Sequence, residues 1–183
     1  MYTSGSTGTP SGVMVEHRQV MAFLHGFERV APGGEESRGT AVCPFGFDVA
    51  VWECFSMLCF GGTLHMVLPD IVMVPEQFVH YLVHHRITSA YIPPALLPDV
   101  GSHLEQQHAP LVLKRLLVGV EPIPQKALQR FRALSEQMCI VNGYGPTEST
   151  VCATLFPFHA ATEPDRRTPI GARINGYEVY ILD

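Results

Sequence analysis

The chain has 183 residues with 12 Lys or Arg and 17 Asp or Glu, and its formal net charge is −5. A nucleic-acid-binding protein would need a basic surface to neutralise phosphates, so this acidic balance argues against that class. Apolar residues make up 46% of the chain and charged residues only 16%, which predicts an ordered, core-forming chain with a surface unusually poor in charge.

The sequence carries no signal for a membrane or for secretion. No apolar run reaches the roughly 18 residues of a membrane span, and the first residues lack the basic and apolar regions of a signal peptide. The five cysteines form no Cys-x-x-Cys pair. We therefore expect free buried thiols, no membrane partner and a cytoplasmic location.

Helix-like and strand-like stretches alternate along the chain. Apolar residues at helical spacing predict a helix over 16–30, a second that Asp48 caps and Gly61 follows, and two more over 75–86 and 125–134. Short apolar runs predict strands over 40–44, 63–68, 89–92, 116–120, 139–141 and 178–182.

This alternation predicts an α/β fold, with a mostly parallel sheet covered by helices on both faces. Residues 159–167 look like a polar surface linker. In such sheets ligands bind beyond the carboxyl ends of the strands. The residues that follow the predicted strands are therefore candidates for a site, and they lie at 47–48, 93–94, 119–121 and 142–148.

Residues 3–12, with the sequence TSGSTGTPSG, have the composition of a phosphate-binding loop. Glycines let the backbone approach a phosphate, and hydroxyls and amides donate to its oxygens. The Walker pattern fails because Pro10 stands where its second glycine would be. Composition alone favours a flexible surface turn.

Four motifs resemble those of the adenylation domains of nonribosomal peptide synthetases, which belong to the adenylate-forming superfamily. YTSGSTGTPSGV (2–13) matches the phosphate loop of that family at all but one fixed place, and FDVAVWE (47–53) is similar to its substrate-pocket segment. NGYGPTE (142–148) is similar to its adenine and magnesium segment, and PIGARINGYEVYILD (169–183) to its next core motif. The resemblance implies a flavodoxin-like subdomain, with residues 1–183 as one central segment of the large N-terminal subdomain and the small C-terminal domain absent.

The resemblance also implies roles for individual residues. Thr147 and Glu148 would be catalytic, Thr147 donating to the α-phosphate of ATP and Glu148 holding Mg²⁺ with its hard oxygens. The residues implied to bind the nucleotide are Thr3, Ser4, Gly5, Ser6, Thr7, Gly8, Glu121, Asn142, Tyr144 and Gly145, with Tyr144 stacked on adenine. Those implied to bind the substrate are Phe47, Asp48, Val49, Trp52, Tyr91, Leu117, Gly119, Gly143, Val151 and Cys152.

Several of these residues have plainer interpretations. Asp48 could simply cap a helix, or it could pair with the α-ammonium of an amino acid, and the two roles could coexist. Glu148 could be an ordinary surface residue, and Tyr144 a half-buried core aromatic. His80, His84 and His85 lie at helical spacing, but a solvated helix face is the expected explanation rather than a metal site.

The expected function is ATP-dependent activation of an amino acid as aminoacyl-AMP, followed by loading onto the phosphopantetheine thiol of a carrier protein in a larger synthetase. No charged residue except Asp48 is among the substrate-pocket residues, which predicts a medium-to-large uncharged amino acid. Ser11 replaces a lysine of the family's phosphate loop, so we expect weak catalysis by the chain alone. The alternatives are an acyl- or aryl-CoA ligase of the same superfamily and a non-catalytic scaffold.

Overall fold

A computed structural model describes residues 1–3, 9–107, 110–119 and 121–182 of the chain. The helices in this part are α1 (His17–Val30), α2 (Val49–Leu58), α3 (Pro69–Val72), α4 (Pro75–His84), α5 (Leu97–Gln106) and α6 (Gln125–Leu134), with 3₁₀ turns at Pro94–Leu96 and Thr147–Ser149. The strands are β1 (Tyr2–Thr3), β2 (Ser11–Gly12), β3 (Arg38–Ala41), β4 (Thr63–Met66), β5 (Ser89–Tyr91), β6 (Arg115–Gly119), β7 (Cys139–Tyr144), β8 (Thr154–Phe158) and β9 (Ala172–Arg173).

The main sheet of the described residues has the strand order β4-β3-β5-β6-β7-β8-β9. The strands from β4 to β7 pair in parallel, whereas β8 runs antiparallel to β7 and β9 antiparallel to β8. The short strands β1 and β2 form a separate antiparallel pair. The predicted fold class, a mostly parallel sheet with helices, is therefore confirmed.

Helices cover both faces of the sheet. Successive side chains of a strand point to opposite sides of the sheet, and β6 has apolar side chains on both sides. Leu116 and Val118 of β6 belong to one apolar cluster, which α4, α5 and α6 complete. Leu117, between them, belongs to a second cluster with α1 and α2. The two clusters together form the core, and the central parallel strands β5 and β6 are buried on both sides.

A buried ion pair links the second face to the beginning of β6. Arg115, which is 1% exposed, bonds to the carboxylate of Glu28 on α1. Its guanidinium also donates to Ala31 O at 3.1 Å and to Ser89 Oγ at 2.9 Å. This pair lies at the amino end of β6 and therefore at the opposite end of that strand from Gly119.

Several elements differ from the sequence-based expectations. Helix α5 was not predicted, although Leu97, Val100 and Leu104 face the core at helical spacing. Strand β8 contains Pro157, a residue that argues against a strand. The strand expected over 178–182 was wrong: these residues pair with no described strand, and Ile181 is 99% exposed.

Apolar side chains also remain exposed beside β4, which is an edge strand of the sheet. Helix α2 and the segment around β4 expose four large apolar residues, which we call the β4 surface: Phe55, Leu58, Met66 and Leu68. No helix among the described residues is long and apolar enough to cross a membrane.

Candidate active site

Two adjoining cavities lie at the carboxyl ends of β5, β6 and β7, where ligands bind in parallel α/β sheets. The Asp48 cavity has a volume of about 280 Å³, and the Glu121 cavity one of about 620 Å³. Gly143 and Tyr144, at the end of β7, line both of them. A single ligand that filled both cavities would therefore pass across the end of this strand.

The Asp48 cavity collects nearly all of the residues that the resemblance assigns to the substrate. Those that line it are Phe47, Asp48, Val49, Tyr91, Leu117, Gly119, Gly143, Val151 and Cys152. Trp52 does not line it. This side chain is buried in the second apolar cluster, with its ring centroid 5.1 Å from that of Phe27.

Asp48 presents its carboxylate to the segment after β7. The residue occupies the position before helix α2, yet its side chain makes no capping hydrogen bond to the helix. Instead, the Thr147 hydroxyl donates to Asp48 Oδ2 at 2.7 Å, across 99 residues of sequence. The capping interpretation of Asp48 is therefore not observed, and its carboxylate belongs to the cavity.

The close approach of β6 and β7 shapes the floor of the Asp48 cavity. Gly119 has φ +143°, and a Cβ at this position would lie 2.1 Å from Gly143 O. Only glycine fits there, because both the backbone angle and the contact exclude a side chain. The cavity consequently extends to the backbone of these two strands.

A strained turn carries two further residues of the cavity wall. Thr150 and Val151 have φ values of 64° and 68°, in the left-handed region that β-branched residues rarely adopt. Such strain costs on the order of 1–3 kcal/mol per residue and is concentrated at functional sites. The turn directs Val151 and Cys152 into the Asp48 cavity.

Burial keeps three ionisable side chains near the Asp48 cavity neutral, those of Cys43, Tyr91 and Cys152. Desolvation raises the pKa of the Cys152 thiol to about 12, and it also raises the pKa of the Cys43 thiol and the Tyr91 hydroxyl. Nucleophilic chemistry by a thiolate is therefore disfavoured here, and Cys152 acts as an apolar part of the wall.

A second carboxylate, which the sequence had not singled out, lies behind the cavity. Glu53 on α2 is 1% exposed, and it accepts hydrogen bonds from the backbone N–H groups of Val42 and Cys43, each at 2.9 Å. Desolvation raises the pKa of Glu53 to about 7, against the opposing effect of these two hydrogen bonds. The sequence signal that could have identified Glu53 is that it is the one charged residue in the mostly apolar helix α2.

The Glu121 cavity contains part of the set assigned to the nucleotide. Glu121, Asn142 and Tyr144 line it, whereas Thr3 and Gly145 line the Asp48 cavity. The Asn142 amide donates to Pro169 O at 2.8 Å, and the Tyr144 side chain is half exposed. Arg166 and Arg167 also line this cavity, and Arg166 pairs with Glu163, another lining residue, at 2.6 Å.

The remaining members of the predicted site lie outside these cavities or outside the described residues. Residues Ser4, Gly5, Ser6, Thr7 and Gly8 are not among those that the structure describes. Glu148 lines neither cavity and is exposed, in the same 3₁₀ turn as Thr147. Among the described residues, no group of three or more His, Cys, Asp or Glu side chains is arranged to hold a metal ion, and this includes the histidines of α4.

Comparison with known proteins identifies the family. The sequence matches the family of AMP-binding enzymes over residues 1–183. The chain belongs to the AMP-binding enzyme family. It is 33% identical to tyrocidine synthase 2 of Brevibacillus parabrevis, over all of this chain and 5% of that protein, and 33% identical to malpinin synthetase of Mortierella alpina, over all of this chain and 2% of that protein.

Solved structures agree with this assignment. The chain resembles the nonribosomal peptide synthetase FmoA3 in its α-methyl-L-serine-AMP bound form, with a TM-score of 0.87 and 27% identity. That match covers all of this chain and 20% of FmoA3. The chain therefore spans only a small part of the synthetases that it matches.

Proposed function

We propose that this AMP-binding enzyme activates an amino acid as aminoacyl-AMP, with the amino acid in the Asp48 cavity and ATP in the Glu121 cavity. The observation that carries the proposal is the hydrogen bond between Thr147 and Asp48 in the Asp48 cavity. This cavity adjoins the Glu121 cavity through Gly143 and Tyr144. A relative supports it, because FmoA3 has been solved with α-methyl-L-serine-AMP bound.

Asp48 is the proposed partner of the substrate's α-ammonium group. It is the only charged residue among the described residues that line its cavity. A carboxylate in a mostly apolar cavity is stabilised most by an opposite charge with which it can pair. An aryl or fatty acid has no ammonium group, so Asp48 disfavours the CoA-ligase alternative.

The rest of the Asp48 cavity selects the side chain of the amino acid. Leu117, Val151 and Cys152 are apolar, and Tyr91 brings a hydroxyl. A charged substrate side chain would enter without a partner, at a cost of several kcal/mol. We therefore propose a medium-to-large uncharged amino acid as the substrate.

Positioning and charge stabilisation are the proposed sources of catalysis. A carboxylate oxygen of the amino acid forms a bond to the α-phosphorus of ATP, and the bond to pyrophosphate breaks. Tyr144 is the proposed stacking partner of adenine, and Thr147 would donate to the α-phosphate. Because Thr147 donates to Asp48 in this structure, its hydroxyl has to change partner when the nucleotide binds.

Glu148 fits the proposed magnesium ligand in its chemistry. Its exposed carboxylate is a hard oxygen ligand adjacent in sequence to Thr147, and Mg²⁺ is typically held by one or two carboxylates together with substrate phosphates. The ion, when bound, supplies positive charge that offsets the phosphate charge. Ser11 on β2 supplies no charge of this kind.

The later steps rest on the relatives alone. The matched proteins are named as a synthetase and a synthase, and this chain spans 2% of the first and 5% of the second. We propose that the aminoacyl group passes to the phosphopantetheine thiol of a carrier protein within such an assembly, and that the 183-residue chain is a weak catalyst by itself.

Calorimetric titration of the chain tests the proposal. We expect ATP to bind, and uncharged amino acids to bind better than charged ones. The D48N variant should lose amino-acid binding and keep ATP binding. A folded chain that binds neither ATP nor any amino acid would contradict the proposal and favour a non-catalytic scaffold.

A further inference from the structure

We propose that Glu53 is a positioning residue for the amino-acid site: its carboxylate holds segment 42–48 so that Asp48 faces the Asp48 cavity. This inference rests on the proposed function, since it assigns Glu53 a role through Asp48. Glu53 does not line the cavity and is not proposed to touch the substrate.

The carboxylate of Glu53 ties the beginning of this segment to helix α2. Strand β3 ends at Ala41, and the next two backbone N–H groups, those of Val42 and Cys43, each donate to one oxygen of Glu53 at 2.9 Å. The segment then turns, with Phe47 N–H donating to Pro44 O at 2.9 Å. It ends at Asp48, immediately before α2 begins.

Packing alone does not hold the segment in place. All four residues at 44–47 are exposed, and the Phe45 side chain is 77% exposed. The Glu53 side chain, by contrast, is 1% exposed. Val42 and Cys43 also pack against the apolar clusters, and the two hydrogen bonds to Glu53 fix the direction of their backbone at the end of β3.

A carboxylate is the group that this arrangement requires. Two neighbouring N–H donors need two acceptor oxygens, and an ionised carboxylate supplies both. Glutamine has one acceptor and would place its own N–H₂ group against the second donor. Burying an acid is costly, and desolvation raises the pKa of Glu53, so its presence at this place indicates a requirement for two acceptors.

The E53Q variant of the 183-residue chain provides the test. We expect the affinity for the preferred amino acid to fall by about tenfold to a hundredfold, the loss associated with a hydrogen bond to a charged group, and the affinity for ATP to change by less than about threefold. Amide hydrogen exchange over residues 42–48 should accelerate. If Glu53 only stabilised the fold, E53Q would lower the affinities for the amino acid and for ATP together, or would change neither.

The E28Q variant is the matched control. It also removes one carboxylate charge, from the partly buried Glu28, but it does so at the opposite end of β6, where Glu28 pairs with Arg115. We expect it to lower stability without accelerating exchange in segment 42–48 and without changing the ratio of the two affinities.

The wild-type chain provides a second measurement that does not depend on the folding of a variant. Protonation of Glu53 removes one acceptor, so amino-acid affinity should decrease as the pH falls through about 7. Cys43, Cys54, Tyr91 and Asp48 also face this region. Burial raises the pKa values of Cys43, Cys54 and Tyr91, and E53Q keeps Asp48, so loss of the transition in E53Q assigns it to Glu53.

The outcomes separate the two proposals. Unchanged amino-acid affinity in a folded E53Q variant, or a wild-type affinity that is flat between about pH 6 and 8, would overturn the positioning role and leave the proposed function standing. Failure of the folded wild-type chain to bind any amino acid would overturn the proposed function and this role together.

Discussion

Replacing Asp48 with asparagine removes one charge while preserving the shape of the side chain. The amide oxygen of asparagine still accepts a hydrogen bond, so the 2.7 Å contact from the Thr147 hydroxyl is retained and the fold is undisturbed. What is lost is the attraction between a carboxylate and the α-ammonium group of the substrate. The variant therefore measures the charge pair rather than the architecture of the cavity.

The structure sets the size of the effect. Asp48 is partly buried and faces a cavity whose remaining described lining residues are uncharged. Two unit charges about 4 Å apart interact by about 1 kcal/mol in water and by about 4 kcal/mol near a protein surface. We expect D48N to lose about 2–4 kcal/mol, or about 30- to 1,000-fold in kcat/KM for the amino acid.

The assay is amino-acid-dependent ATP–pyrophosphate exchange in a complete adenylation domain that carries this chain. The KM for ATP should remain within about threefold of the wild-type value, because the nucleotide does not contact Asp48 in the proposed arrangement. D70N, which removes an exposed charge on α3, controls for the change in net charge. A kcat/KM for D48N within about threefold of wild type would refute the role of Asp48 as the ammonium partner.

Four other predictions concern charge, stability and association. S11K should tighten ATP binding about fivefold at low salt and lose this gain in about 1 M salt; a gain that is independent of salt would refute a Coulombic origin. E28Q should lower the free energy of unfolding in urea by about 3–5 kcal/mol, since Arg115 would stay buried without its partner; a change below about 1 kcal/mol would contradict this. Because burial raises the pKa of Glu53 from 4.5 to about 7, the folded state binds this proton more tightly, and stability should fall by up to about 3 kcal/mol as the pH rises between those values. The E53Q variant should lack that fall, and an identical pH dependence in both proteins would assign it elsewhere. The chain should associate in solution through the β4 surface, as measured by sedimentation and binding of a hydrophobic dye, and a dye-negative monomer at high concentration would show that this surface needs no cover.

The periodic helices and buried strands were predictable because burial leaves a pattern in the sequence. Helix α6 was predicted over 125–134, and the structure has it at Gln125–Leu134. Helix α5 carried an equally readable pattern, which the two prolines before it obscured. The apolar alternation of residues 178–182 predicted a strand, but a strand also needs a partner, and none of the described strands pairs with this segment.

The site was predictable only in part, and for a physical reason. The resemblance placed Asp48 and Thr147 in one site, although no local pattern could bring together two residues that are 99 positions apart. Glu53 escaped notice because its partners are backbone N–H groups, which every non-proline residue has. Trp52 was assigned to the pocket on resemblance, and the structure instead buries it in the apolar cluster behind the wall.

The most direct test of the central claim is ATP–pyrophosphate exchange with each of the twenty amino acids, in a complete adenylation domain that carries this chain. We predict exchange that depends on the amino acid and is strongest with a medium-to-large uncharged side chain. Strongest exchange with aspartate, glutamate, lysine or arginine would contradict the assignment of the Asp48 cavity. Exchange supported by aryl or fatty acids and by no amino acid would contradict the proposed function itself.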